Sequence, residues 1–220
     1  MDDRCFDRKA AQEWIAVIEG EHGRIRDADL YPYLRTWVER IDPREIADIG
    51  CGQGVCSEKI DLKGRSYTGI EPSSFLLERA RQLHAEANKR FVSGNAYALP
   101  FRDGHFDAAF SIALWHLLED KPKAAAELSR VLKDDGHFMI VGANPDFYDE
   151  WTKTYSRSER LGSRFEGYTR HSDGTETVDV LHLHSFDEIA ASLKAAGLEI
   201  LETAKFRTAI SIQGRKFSGA

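Results

Sequence analysis

An acid closing an apolar run, then three glycines at alternate positions, make ADIGCGQG (Ala47 to Gly54) the stretch best suited to holding a ligand. Gly50, Gly52 and Gly54 free the backbone to take unusual φ/ψ angles and let a bound molecule approach the peptide groups closely. The spacing is G-x-G-x-G, whereas a dinucleotide loop wants G-x-G-x-x-G, and Val55 stands where its last glycine would be. Asp48, two residues before the first glycine, suits a cationic ligand better than a pyrophosphate. Glu71 closes a second run, SYTGIE, and a carboxylate there can accept hydrogen bonds from both hydroxyls of a ribose, in NAD or in another adenosine ligand. His116 follows a later apolar run and titrates near neutrality, which makes it a candidate general base or else a loop histidine bonded to backbone. His182 and His184 share a face if they lie on a strand, but no third ligand accompanies them and no metal site is expected.

These side chains need a scaffold. Residues 45–49, 66–71 and 90–94 and the end of VLKDDGHFMIVGANP read as strands, 106–120 reads as a further strand with its exit loop, and helices are expected at 55–60, 73–87 and 122–133 between them. The alternation implies a mostly parallel sheet covered on both faces. Ahead of it, helices are expected at 6–19 and 29–41, joined by the polar linker GEHGRIRDAD, with Pro43 ending the second. After Pro145 the rhythm breaks: two strands, 164–171 and 176–184, flank the turn-prone SDGT. SFDE then reads as a capping box opening a helix that ends at Gly197, and LEILETAKF and TAISIQGRKF supply the last two strands.

Taken jointly, ADIGCGQG, SYTGIE, RFVSGNAYALPF, FDAAFSIALWHLLED and VLKDDGHFMIVGANP resemble the class I S-adenosylmethionine-dependent methyltransferases, over about residues 45–145. The resemblance implies an α/β fold: a doubly wound, mostly parallel seven-stranded, Rossmann-like sheet with N-terminal helices and an insertion after strand 5. One domain would span 1–220, divided into a helical cover (1–43), a cofactor-binding core (44–145), a substrate-lid insertion (146–184) and a C-terminal helix with closing strands (185–220). It further implies S-adenosyl-L-methionine as cofactor and S-adenosyl-L-homocysteine as product. Gly50, Cys51, Gly52 and Gly54 would surround the methionyl part, with Asp48 on its ammonium. Glu71 would hold the ribose with Pro72 and Ser73 beside it, Asn95 and Ala96 would meet the adenine, and Ser111 would lie under the sulfonium. The family usually has an acid where Asn95 stands, and the amide oxygen of Asn95 can still accept from the exocyclic amine. On the acceptor side the candidates are Tyr31, Trp115, Tyr148, Tyr168 and His171, with His116 as the catalytic candidate. Tyr31 and the aromatics of the insertion equally suit packing against the sheet.

Composition narrows the class. The 220 residues carry a formal charge of −6, which disfavours nucleic acid and anionic membrane as partners. The charged MDDRCFDRKA start is no secretory signal and no apolar run is long enough to span a bilayer, so a cytoplasmic location is expected. SIALWHL lacks the Asn/Asp-Pro-Pro-aromatic motif of base and glutamine N-methyltransferases, the cysteine of pyrimidine C5 enzymes and the aspartate of metal-dependent catechol-type enzymes. The expected activity is methyl transfer by in-line displacement to a small molecule, a metabolite or natural product, at O, N or C. The alternatives are a tRNA or protein methyltransferase, a non-catalytic S-adenosylmethionine-binding protein and, more distantly, an NAD-dependent enzyme. Neither the acceptor atom nor the oligomeric state is written in these residues.

Overall fold

The computed structural model describes residues 8–170, 174–206 and 208–218. Two helices, α1 (Arg8–Glu19) and α2 (Glu21–Ile41), precede the sheet. The strands β1 (Glu45–Ile49), β2 (Ser66–Glu71), β3 (Lys89–Ser93), β4 (Phe106–Ile112) and β5 (Leu132–Ala143) follow, with α3 (Ser74–His84) and α4 (Lys121–Val131) between them. Beyond α5 (Tyr148–Thr152), the strands β6 (Arg157–Leu161), β7 (Arg164–Arg170) and β8 (Glu176–His182) form a separate antiparallel sheet. The chain returns through α6 (Phe186–Ala195) to β9 (Leu198–Lys205) and β10 (Ala209–Lys216). The main sheet has seven strands in the order β3-β2-β1-β4-β5-β10-β9, all parallel except for β10, which runs antiparallel to both neighbours. This is the expected doubly wound fold.

Strand alternation sorts the core into two layers. Ala47 and Ile49 of β1 face α4 and α6, meeting Leu128, Phe138, Ile140 and Leu193. Ile46 faces the other way, toward Leu34 and Trp37 of α2 and Leu77 of α3, beside Tyr67 and Phe110. By the same alternation Asp48 shares that second face, which places a carboxyl inside an apolar layer.

Local expectations fail where side chains compete with backbone or where neighbours override pattern. Residues 55–60 form no α-helix but a short 3-10 turn, Val55–Glu58, whose start is tied by Ser57 Oγ donating to the Gly54 carbonyl at 2.7 Å. The polar linker is helical from Glu21, so α2 runs 21 residues and carries Pro32 inside it. The strand β6 was not expected, because RSERL is exposed throughout and its alternation is invisible; pairing with β7 alone makes it a strand. The capping box at Ser185 and Glu188 is formed. Among the described residues no helix is long and apolar enough to cross a membrane.

Candidate functional site

The carboxyl ends of β1, β2 and β4 converge on one edge of the sheet, and the glycine loop lies across it. Gly50, Gly52 and Gly54 all have positive φ, at 79°, 55° and 81°. The Gly50 and Cys51 N–H groups both donate to the Ile70 carbonyl, which pins the loop to β2. A Cβ on Gly54 would come within 2.8 Å of the Phe91 ring and one on Gly50 within 3.0 Å of Leu114, so both are pressed by core. Gly52 is different: the nearest atom to its Cβ position is the Trp14 indole nitrogen, at 3.6 Å. The open side of the loop is therefore roofed by α1, and Arg79 strengthens the roof by donating to Gln53 on the loop and to Glu19 on α1.

Glu71 sits 4% exposed beneath this loop. Its two oxygens accept separately, one from the Gly52 N–H at 3.0 Å and one from the Ser73 N–H at 2.9 Å. Each oxygen keeps a further lone pair for a ligand hydroxyl. Burial raises its pKa, and the two N–H groups offset part of that rise. Ser73 is committed to capping α3, where its hydroxyl accepts from Leu76 N–H, and Pro72 beside it is exposed. Asp48 is buried at 1% exposure and accepts from the Tyr67 hydroxyl at 2.6 Å. Burial pushes its pKa up to about 7 against the hydrogen bonds from Tyr67 and Cys56. The Cys51 thiol is likewise raised by burial and packs on the loop it belongs to.

Along the edge, the Asn95 side-chain oxygen accepts from the Tyr97 N–H at 2.9 Å and so closes the turn that holds Ala96. The oxygen is thus engaged locally with one lone pair to spare, and the amide N–H2 is also available to an adenine ring nitrogen. The Tyr97 hydroxyl accepts from the Glu119 and Asp120 N–H groups and ties this turn to the loop after β4. Ser111, 3% exposed, has a hydroxyl with no partner among the described residues and lines a cavity of about 10 Å³ with Ile49, Ala96 and Leu114. Ala113, two residues on, holds φ at 58°, a conformation a non-glycine residue rarely adopts.

The acceptor side departs further from expectation. Tyr31 is 3% exposed in the α2 layer and Trp115 is 4% exposed in the α4 layer, so both are core residues. Tyr148 is buried where the small sheet meets the main one, its hydroxyl donating to the His184 carbonyl. Tyr168 lies on the outer face of β7, bonded to Glu166 and stacked under the Arg157 guanidinium at 3.6 Å. His171 lies outside the described residues. Burial, with Lys121 nearby, pushes His116 down to about 4, which leaves a neutral imidazole with little affinity for a proton. Of the two readings open for it, this environment does not favour the general base. Among the described residues no group of three His, Cys, Asp or Glu side chains is placed to hold a metal ion.

Four participants escaped the sequence reading. Trp14, Tyr67, Tyr97 and Lys121 carry no motif, and each matters only through contacts far away in the chain. The arrangement fits an adenosyl amino acid: a Gly52 touched at its Cβ position by Trp14 alone among the described residues, spare lone pairs on Glu71 and a Ser111 hydroxyl without a partner among those residues lie on one strand-end edge.

Comparison with known proteins agrees. The family described as "Methyltransferase domain" matches residues 47–140. The chain is 29% identical over 116 residues to the fatty-acid O-methyltransferase of Mycolicibacterium smegmatis, covering 51% of this chain and 42% of the relative. It is 29% identical over 165 residues to the malonyl-[acyl-carrier protein] O-methyltransferase of Legionella pneumophila, covering 74% of this chain and 56% of the relative. This chain thus spans about half the length of those two relatives. A solved S-adenosylmethionine-dependent methyltransferase from Methanosarcina mazei superimposes with a TM-score of 0.68 at 24% identity, over 86% of this chain and 99% of the other, a likeness of fold.

Proposed function

We propose, from the premise that this chain carries a class I S-adenosylmethionine-dependent methyltransferase domain, that it transfers a methyl group to a small-molecule acceptor. The observation that carries the reading is the buried Glu71 beneath the glycine loop, whose oxygens accept from Gly52 and Ser73 with lone pairs to spare. In it, Gly50 to Gly54 and Asp48 hold the aminoacyl end, Glu71 the ribose, Asn95 and Ala96 the adenine, and Ser111 the region of the sulfur. The cofactor, when bound, supplies a methyl carbon already activated by its sulfonium. The chain's own work is then to align the acceptor and exclude water, which the α1 roof and the Tyr97 latch serve.

An acceptor that needs no base accords with the low basicity of His116. A carboxylate is ionised at neutral pH without help, and both curated relatives described above are named for O-methylation of carboxylic acids or their acyl-carrier derivatives. A carboxyl-bearing metabolite is therefore the preferred acceptor class. The test is incubation with S-adenosylmethionine and a panel of fatty acids, short diacid thioesters, phenols and amines, with products read by mass spectrometry. Methyl esters are the expected products. Transfer confined to tRNA or protein, or cofactor binding with no transfer to any member of the panel, would overturn the reading.

A further inference from the structure

Asp48 occupies an unusual position for a carboxyl. It is 1% exposed, it lies on the layer side of β1 among Ile46, Tyr67 and Phe110, and no cation reaches it among the described residues. Its partners are hydroxyl and thiol donors: Tyr67 Oη at 2.6 Å and the Cys56 thiol. Directly after it comes the loop that would receive the cofactor's ammonium. An isolated buried carboxylate is costly, and a carboxyl so placed is stable in the apo protein as the neutral acid. A cation arriving next to it reverses that preference.

We propose that Asp48, positioned by Tyr67, is a proton-releasing group: it surrenders its proton to solvent when the aminoacyl ammonium of the cofactor settles on the glycine loop. This rests on the cofactor reading above and extends it to how capture depends on pH. The proton count balances, because the ligand arrives as the ammonium, the carboxyl becomes the carboxylate and the proton leaves to buffer. The groups facing Asp48 are Tyr67 and Glu71 from β2, Cys51 from the loop and Cys56 from the 3-10 turn. Burial raises Tyr67 and Cys51 well above their ordinary values, so they stay protonated and act only as donors. His84, which lies against Gly54 and is paired with Glu58, and Glu71, raised by burial, are the other ionisable groups beside the loop.

With the apo carboxyl at about 7, release should approach a full proton at pH 6, be about half at pH 7 and be nearly nil at pH 8.5. Affinity should accordingly weaken about tenfold between pH 8 and pH 6. The experiment is calorimetric titration of the full chain with S-adenosylhomocysteine in buffers of different ionisation enthalpy, at those three pH values. 5′-Methylthioadenosine, which lacks the aminoacyl group, serves as the control and should bind without releasing the proton. Asp48→Asn should abolish the buffer dependence. Tyr67→Phe, which removes a donor favouring the carboxylate, should move the release profile to higher pH, an effect that simple loss of packing would not produce. Binding heat independent of buffer, or release that survives Asp48→Asn and so belongs to another group, would overturn this inference and leave the cofactor reading intact. If Asp48→Asn does not fold, an unmoved profile in Tyr67→Phe overturns it equally. Failure of both adenosyl compounds to bind at any pH would overturn the cofactor reading together with it.

Discussion

Glu71 serves the loop and the candidate site together, since its oxygens accept from Gly52 and Ser73 while spare lone pairs remain. If Glu71 holds the ribose as proposed, Glu71→Ala should weaken S-adenosylhomocysteine binding by about tenfold or more, because charge-assisted bonds to two hydroxyls would be lost. It should also lower stability by about 1–3 kcal/mol, because two buried N–H groups lose their acceptor; calorimetry and denaturant unfolding read the two effects separately. Unchanged affinity would remove Glu71 from the site. His116 yields a pH prediction of definite sign. Its folded pKa of about 4 lies below the ordinary 6.5, so the unfolded chain binds more protons between those values. The stability associated with it is present above pH 6.5 and is lost as pH falls toward 4. Asp48 acts oppositely: held up to about 7, it favours the folded state at low pH and gives up that contribution as pH rises from 4 to 7. Urea unfolding of His116→Gln between pH 4 and 7 should therefore show stability falling more steeply with rising pH than in the wild type.

At the scale of elements, the insertion is tied to the core by one buried amine. Lys121, 2% exposed at the start of α4, donates to the Leu118 carbonyl at 2.6 Å and to the His182 carbonyl at 3.2 Å, joining the loop after β4 to the end of β8. Burial lowers it to about 7, so stability should rise as pH climbs from 7 toward 10.5, where the unfolded chain still carries the proton. Lys121→Met should flatten that rise and speed amide exchange across β6 to β8, because the carbonyl of His182 loses its donor. Unaltered exchange there would mean that Tyr148, Phe165 and Leu181 hold the sheet without it. Sequence pattern identified the two longer insertion strands and the capped helix after them, since alternation and the S-x-x-E signal are local. It could not identify β6 or Lys121: an all-exposed strand has no alternation, and a buried lysine looks like any other until a neighbour covers it.

For the whole molecule, the decisive strand is the last. β10 lies between β5 and β9, buried along most of its length, and is antiparallel in a sheet that is otherwise parallel. A chain ending at residue 206 would leave β5 as an open apolar edge and β9 without its one partner strand among the described residues. Such a chain should be insoluble or lack a cooperative unfolding transition, as read by circular dichroism; a cooperative fold would show that the first five strands stand alone. Gln213 on the same strand accepts from Arg40 and donates to Tyr33, so the C-terminus also anchors the helix that precedes the sheet. The order of strands and helices, the glycine loop with its two acids and the family resemblance were legible in the sequence, because they depend on spacing within a few residues. Tertiary structure alone decided the rest. It turned Tyr31 and Trp115 into core, committed the Asn95 oxygen to a turn, left His116 a weak base and sealed Asp48 beside Tyr67. Burial and hydrogen-bond partnership set the protonation state and availability of a side chain, and both come from residues distant in sequence, brought together only by the packed sheet.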